Sequence, residues 1–190
     1  MVGRPKGATK ECNEISGSEF IKIVESISLS SRKSDLDRKI CLICFNYYLG
    51  MKGRDICNLK LSHIIDDDGK LLGGIILIKS NKKFSLRLNN SLMRESLQSY
   101  WDSLVSGSDK SLDMSMPLFK GQKGAYTPAS LTRVINNIYK KAGYPDITTH
   151  SGKKSYINDK LRQGLSVEVL FKVTADTSLR NLKRYKTSED

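Results

Sequence analysis

Long apolar runs are missing from this sequence. No stretch approaches the ~20 consecutive apolar residues that a membrane-spanning helix needs, so no membrane partner is expected. The first residues, MVGRPKGATKECNE, are basic, but no apolar segment follows them, which argues against a secretory signal. Cysteine is scarce as well. Four cysteines in 190 residues, without a signal, read as reduced thiols in a cytoplasmic, nucleoid-associated protein. Acidic residues are also in short supply: 20 against 32 basic ones leave a formal net charge of +12. That excess runs the length of the chain and points to a polyanionic partner, with nucleic acid the first candidate. No cofactor and no small-molecule substrate are indicated.

What is present suits one domain able to bury a core. There is neither an internal repeat nor a low-complexity tract. Residues 1–15 are polar and without periodicity and read as a flexible basic arm, leaving 16–190 as the domain. Phe20, Ile21, Ile23, Val24 and Ile27 form one helical face behind Ser16 or Ser18 as cap. A second helix is expected in SDLDRKICLICFNYYLG, with Ser34 as N-cap, Asp35 and Asp37 in the first turn and Gly50 at the end. Its middle is apolar nearly all round, the pattern of a buried central helix. A short helix follows around RDICNLKL.

The period then changes. KLLGGIILIKS and KKFSLRLNN read as a hairpin joined by Ser80-Asn81, with Phe84, Leu86 and Leu88 alternating. Helical patterns return in SLMRESLQSYWDSLV and in TPASLTRVINNIYKKAG, where Thr127 precedes Pro128 and Gly143 stops the helix. THSGKKSYINDKLRQG, SVEVLFKV and TSLRNLKRYK complete a helical C-terminal half. The fold class expected is mainly α with a small antiparallel β-sheet (α+β).

Two local patterns need weighing. Cys41, Cys44, Cys57 and His63 read as C-x2-C-x12-C-x5-H, close to a zinc spacing. ICLICFNYYLG is a buried-helix pattern, however, in which cysteines serve as small hydrophobes, so no metal site is assigned. GRPKG carries the core of an AT-hook but lacks the usual upstream Pro-Arg. It reads rather as a basic segment touching phosphates without sequence preference, through Arg4 and Lys6.

Four further segments stand in an informative order. LGMKGRDICNLKLSHI resembles the segment written TGxRxxE/DxxxLxWxDI in the tyrosine recombinases (phage integrase family). Gly50, Asp55, Leu59 and Ile64 match, Ser62 falls between the motif's last specified positions, and Lys52 falls at the arginine. GGIILIKSNKKFSLRL resembles that family's three-stranded sheet, whose turn presents a catalytic lysine, here Lys79. The stretch ending in THSGKKS resembles the approach to the HxxR box, with His150 at the histidine and Lys153 at the second arginine. VTADTSLRNLKRY resembles the closing GHxSxxxTxxY segment: Ala175 falls at the glycine, Asp176 at the histidine or tryptophan, and Tyr185 at the nucleophile. The resemblance spans Ser16 to Lys186. A separate N-terminal DNA-clamping domain is not expected, as in the short fimbrial phase-variation invertases.

The resemblance implies a tyrosine recombinase (DNA breaking-rejoining) catalytic-domain fold and duplex DNA as partner, with a homo-oligomer on DNA possible. It implies a tyrosine hydroxyl that attacks a phosphodiester to give a 3′-phosphotyrosyl bond and a 5′ hydroxyl, without metal. Two arginines hold the nonbridging oxygens as charge develops, and a lysine protonates the leaving oxygen. By this correspondence the catalytic positions are Tyr185, Lys52, Lys79, His150, Lys153 and Asp176. Candidate DNA contacts are Arg4, Lys6, Arg54, Lys82, Lys83, Lys154, Arg180, Lys183 and Arg184. Lysine keeps an arginine's charge but not its bidentate fork, and a carboxylate at 176 would repel a phosphate. The expectation is a DNA-binding protein of regulation or DNA architecture on a mobile element, with cleavage impaired or lost. The alternative is an active site-specific recombinase or invertase working through Tyr185.

Overall fold

The computed structural model describes residues 12–79, 82–108, 112–121, 124–174 and 182. The fold is built around the second helix. Helix α1 (Gly17–Ser30) opens on a capping box: Ser16 Oγ accepts from the Glu19 N–H, and Glu19 Oε2 accepts from the Ser16 N–H at 2.8 Å. Its apolar face buries Phe20, Ile23 and Ile27, and the Phe20 ring stacks on Tyr47 with centroids 4.0 Å apart.

Helix α2 (Lys33–Tyr48) is the central helix that its all-round apolar pattern predicts. Residues 41–46 are buried, and α2 packs against α1 and against the helices α3 (Gly53–Cys57), α4 (Ser91–Ser106), α5 (Pro128–Lys141) and α6 (Thr149–Arg162). The expected cap at Ser34 is corrected. The N-cap is Arg32, whose carbonyl accepts from the Asp35 and Leu36 N–H groups at 2.9 and 3.0 Å, so the helix starts ahead of the serine.

The expected hairpin forms. Strands β1 (Gly74–Lys79) and β2 (Lys82–Arg87) pair antiparallel, with Gly74 opposite Arg87 and Lys79 opposite Lys82. Ser80 and Asn81 lie outside the described residues. Among the described residues this sheet has two strands rather than the three that the resemblance implies, and Ile65 meets Leu71 only as an isolated bridge. A second ribbon, β3 (Lys120–Gly121) with β4 (Gly124–Ala125), carries no sequence signal because each strand is two residues long. Thr127 caps α5 with Pro128 in its first turn, as expected.

Helix α7 (Val167–Thr174) follows α6. Val167 and Leu170 join Tyr156, Ile157 and Leu182 in a small apolar cluster beside the main core. No helix among the described residues is long and apolar enough to cross a membrane.

Residues 12–15, which the sequence places at the end of the arm, lie along α6. Ile15 is buried, and its N–H donates to Ser155 Oγ at 2.7 Å. Glu14 accepts from Asn158 Nδ2 at 2.8 Å and pairs with Arg162. Cys12 Sγ lies 2.9 Å from Ser151 Oγ, at the start of the same helix.

Candidate nucleic-acid interface

Lys52 owes its position to a tight turn. Helix α2 ends at Tyr48, and Gly50 takes φ +60°, the left-handed region that favours glycine. A Cβ at Gly50 would also lie 2.6 Å from Tyr156 Cδ1, so the turn sits directly on α6. Lys52 is then the N-cap of α3. Its carbonyl accepts from the Asp55 and Ile56 N–H groups at 2.8 and 3.0 Å, and Asp55 Oδ2 accepts from its N–H at 3.2 Å. The backbone is committed, while the side chain is half-buried at the surface. Helix α3 approaches α5 at a distance only glycine permits, since a Cβ on Gly53 would fall 2.3 Å from Thr132 Oγ1.

His150 and Lys153 lie one turn apart on α6. The helix begins at Thr148, whose Oγ1 accepts from the His150 N–H at 3.2 Å, while Asn136 Oδ1 of α5 accepts from the Thr149 N–H at 2.9 Å. His150 stands at the exposed rim, and Lys153 is only 6% exposed. Partial burial lowers the His150 pKa, and the cations of Lys52 and Lys153 lower it further. The two lysines come from segments about a hundred residues apart, yet both act on this imidazole. The structure therefore brings together Lys52, His150 and Lys153 from the candidate catalytic set, in a cationic patch that disfavours the charged form of the imidazole.

The patch has a hidden support that no sequence motif marks. Asn46, fully buried on α2, donates through Nδ2 to Met51 O at 2.8 Å and to Thr149 O at 3.0 Å. Its Oδ1 accepts from the Tyr139 hydroxyl at 2.9 Å. Gly152 makes room for it: a Cβ there would lie 2.2 Å from Asn46 Oδ1.

Other candidates fall elsewhere. Arg54 is exposed on α3, and Lys154 is half-buried on α6. Lys79, Lys82 and Lys83 occupy the turn end of the hairpin, with Lys79 registered against Lys82 and Lys83 against Ile78. Arg4, Lys6, Asp176, Arg180, Lys183, Arg184 and Tyr185 lie outside the described residues. Leu182, three positions before Tyr185, is buried against α6 and α7.

The cysteines of the zinc-like spacing are separated by their settings. Cys41 and Cys44 lie inside α2, where burial pushes both thiols up, Cys44 to about 12. Cys57 Sγ donates to Arg54 O at 3.3 Å, and His63 Nδ1 accepts from the Lys60 N–H at 3.2 Å.

No protein-family model and no curated protein sequence matches the chain. Solved structures do. XerA recombinase superposes with a TM-score of 0.70 at 20% identity, over 91% of this chain and 59% of that one. XerH site-specific recombinase, bound to its difH substrate in a pre-cleavage complex, gives 0.70 at 18% identity, over 92% and 50%. A lambda integrase dimer bound to a COC′ core site gives 0.62 at 15% identity, over 98% and 52%. The chain thus spans 50–59% of the length of these structures. Its fold is that of a tyrosine recombinase catalytic domain, mainly helical with small antiparallel sheets.

Proposed function

We propose that this chain binds duplex DNA through a phosphate grip formed by Lys52, His150 and Lys153, and that strand cleavage is impaired. The observation that carries this is that one buried amide, Asn46, binds the backbone just before Lys52 and just before His150, which brings these distant segments together, with Lys153 one turn along α6. A phosphate is the kind of partner that cations gathered in this way favour. The net charge of +12 acts in the same direction. XerH and lambda integrase, which share the fold, are DNA complexes in their solved structures.

Lysine supplies charge to a phosphate without a planar fork, so it holds a ground-state phosphate better than it stabilises the developing charge of a transition state. A protein so equipped serves regulation or DNA architecture on a mobile element, and a second copy on the same DNA fits that role. Arg4 and Lys6 are proposed as further phosphate contacts. Lys79, Lys82, Lys83, Arg54, Lys154, Arg180, Lys183 and Arg184 are the further DNA contacts proposed.

A second function, strand cleavage by Tyr185, is favoured by one observation. Leu182, three positions before Tyr185 in the sequence, shares an apolar cluster with Ile157, which lies one helical turn beyond Lys153 on α6.

Binding to a 20-base-pair duplex, measured by fluorescence anisotropy between 50 and 300 mM salt, tests the grip. The affinity of the protein should fall steeply with salt, and Lys52→Ala should make the slope of log affinity against log salt shallower by ~1. Salt-independent binding, or an unchanged slope in Lys52→Ala, would overturn the proposal.

A further inference from the structure

We infer that Asn46, oriented by Tyr139, is a positioning residue for the phosphate grip: one buried amide fixes the backbone immediately before Lys52 and immediately before His150. The inference rests on the proposed grip and adds to it the device that sets its geometry.

The hydrogen-bond inventory allows only one arrangement. Met51 O and Thr149 O are carbonyls and can only accept, so the Asn46 NH2 must face both of them. That leaves Asn46 Oδ1 toward Tyr139, whose hydroxyl must donate. Tyr139 is fully buried, and burial pushes its pKa up, so the proton stays on the oxygen. Three hydrogen bonds thereby satisfy four polar groups inside an apolar core, where each would be costly alone.

The two carbonyls are not arbitrary. Met51 precedes Lys52 and Thr149 precedes His150, so a shift of either segment breaks a bond to the same amide. Gly152 sits against Asn46 at a distance that only glycine allows, which holds α6 within reach of the amide. An all-apolar contact would hold α2, the Met51 turn and α6 together equally well, but it would not fix their register along the chain. A satisfied buried polar network does.

The test is a double-mutant cycle on duplex affinity and its salt slope, with the folded state of each variant checked by circular dichroism at the assay temperature. Tyr139→Phe removes only the hydroxyl that orients the amide, and Asn46→Ala removes the amide itself. Each should weaken binding about three- to tenfold at 0.1 M salt and flatten the salt slope, the signature of a displaced phosphate contact. Loss of stability alone leaves the slope of the folded protein unchanged. In a Lys52→Ala/His150→Ala background neither variant should weaken binding further. Should Lys52→Ala weaken binding while folded Tyr139→Phe and Asn46→Ala bind like the parent, the positioning role is overturned and the grip stands. An equal loss in both backgrounds also overturns it. If Lys52→Ala/His150→Ala itself binds like the parent, the grip fails and the positioning role falls with it.

Discussion

A lysine offers a phosphate one mobile charge, whereas an arginine offers a planar pair of donors. At the residue scale the candidate site is defined by this difference and by the imidazole that both lysines influence. Partial burial, Lys52 and Lys153 all disfavour the charged form of His150, so its pKa lies below the ordinary 6.5. Removing one cation must raise it. Lys52→Ala should move the His150 titration, followed by imidazole C–H resonances in NMR, to higher pH, and an unmoved midpoint would mean that Lys52 is not near the ring. A bound phosphate has the same sign of effect, because an anion favours imidazolium. Binding should then take up a proton, and affinity should rise as pH falls toward the His150 pKa of the complex. The sequence singles out Lys52, His150 and Lys153 because each falls at a position of a spaced motif. Asn46 was not legible in it, since its partners are two backbone carbonyls and a tyrosine ninety-three positions away, and nothing in CFNYY marks them.

At the scale of elements, glycine contacts decide how closely the helices carrying the site approach. A Cβ on Gly152 would fall 2.2 Å from Asn46 Oδ1 and 2.6 Å from its Cγ, and the buried amide has no flexible end to withdraw. Gly152→Ala should therefore separate α6 from α2 and cost ~1–3 kcal/mol of stability, read by chemical denaturation. A midpoint equal to the parent's would show that the close approach is not needed. Gly53 makes the same kind of contact between α3 and α5, on Thr132 Oγ1 and the Thr132 N at 2.3 and 2.9 Å. The long elements were readable because caps and periodicity agree: Ser16 and Thr127 open helices where expected, and the hairpin alternates where expected. The failures have physical causes. Arg32 caps α2 through its carbonyl rather than its side chain, β3 and β4 are too short to carry a period, and the strap at 12–15 depends on a single apolar anchor, Ile15.

At the scale of the whole molecule, a recombinase catalytic-domain fold carries a surplus of twelve positive charges, and the proposed division of labour is binding retained with cutting impaired. The measurement that tests this most directly uses a nicked suicide duplex, which traps a covalent adduct on Tyr185. The parent protein is compared with Lys52→Arg/Lys153→Arg. Restoring two oriented donors to a developing oxyanion should raise the rate of adduct formation by at least ~100-fold, with duplex affinity nearly unchanged and the adduct abolished by Tyr185→Phe. A parent protein that already forms the Tyr185 adduct as fast as the arginine pair would contradict the proposal and identify a working recombinase that grips its phosphate with lysines.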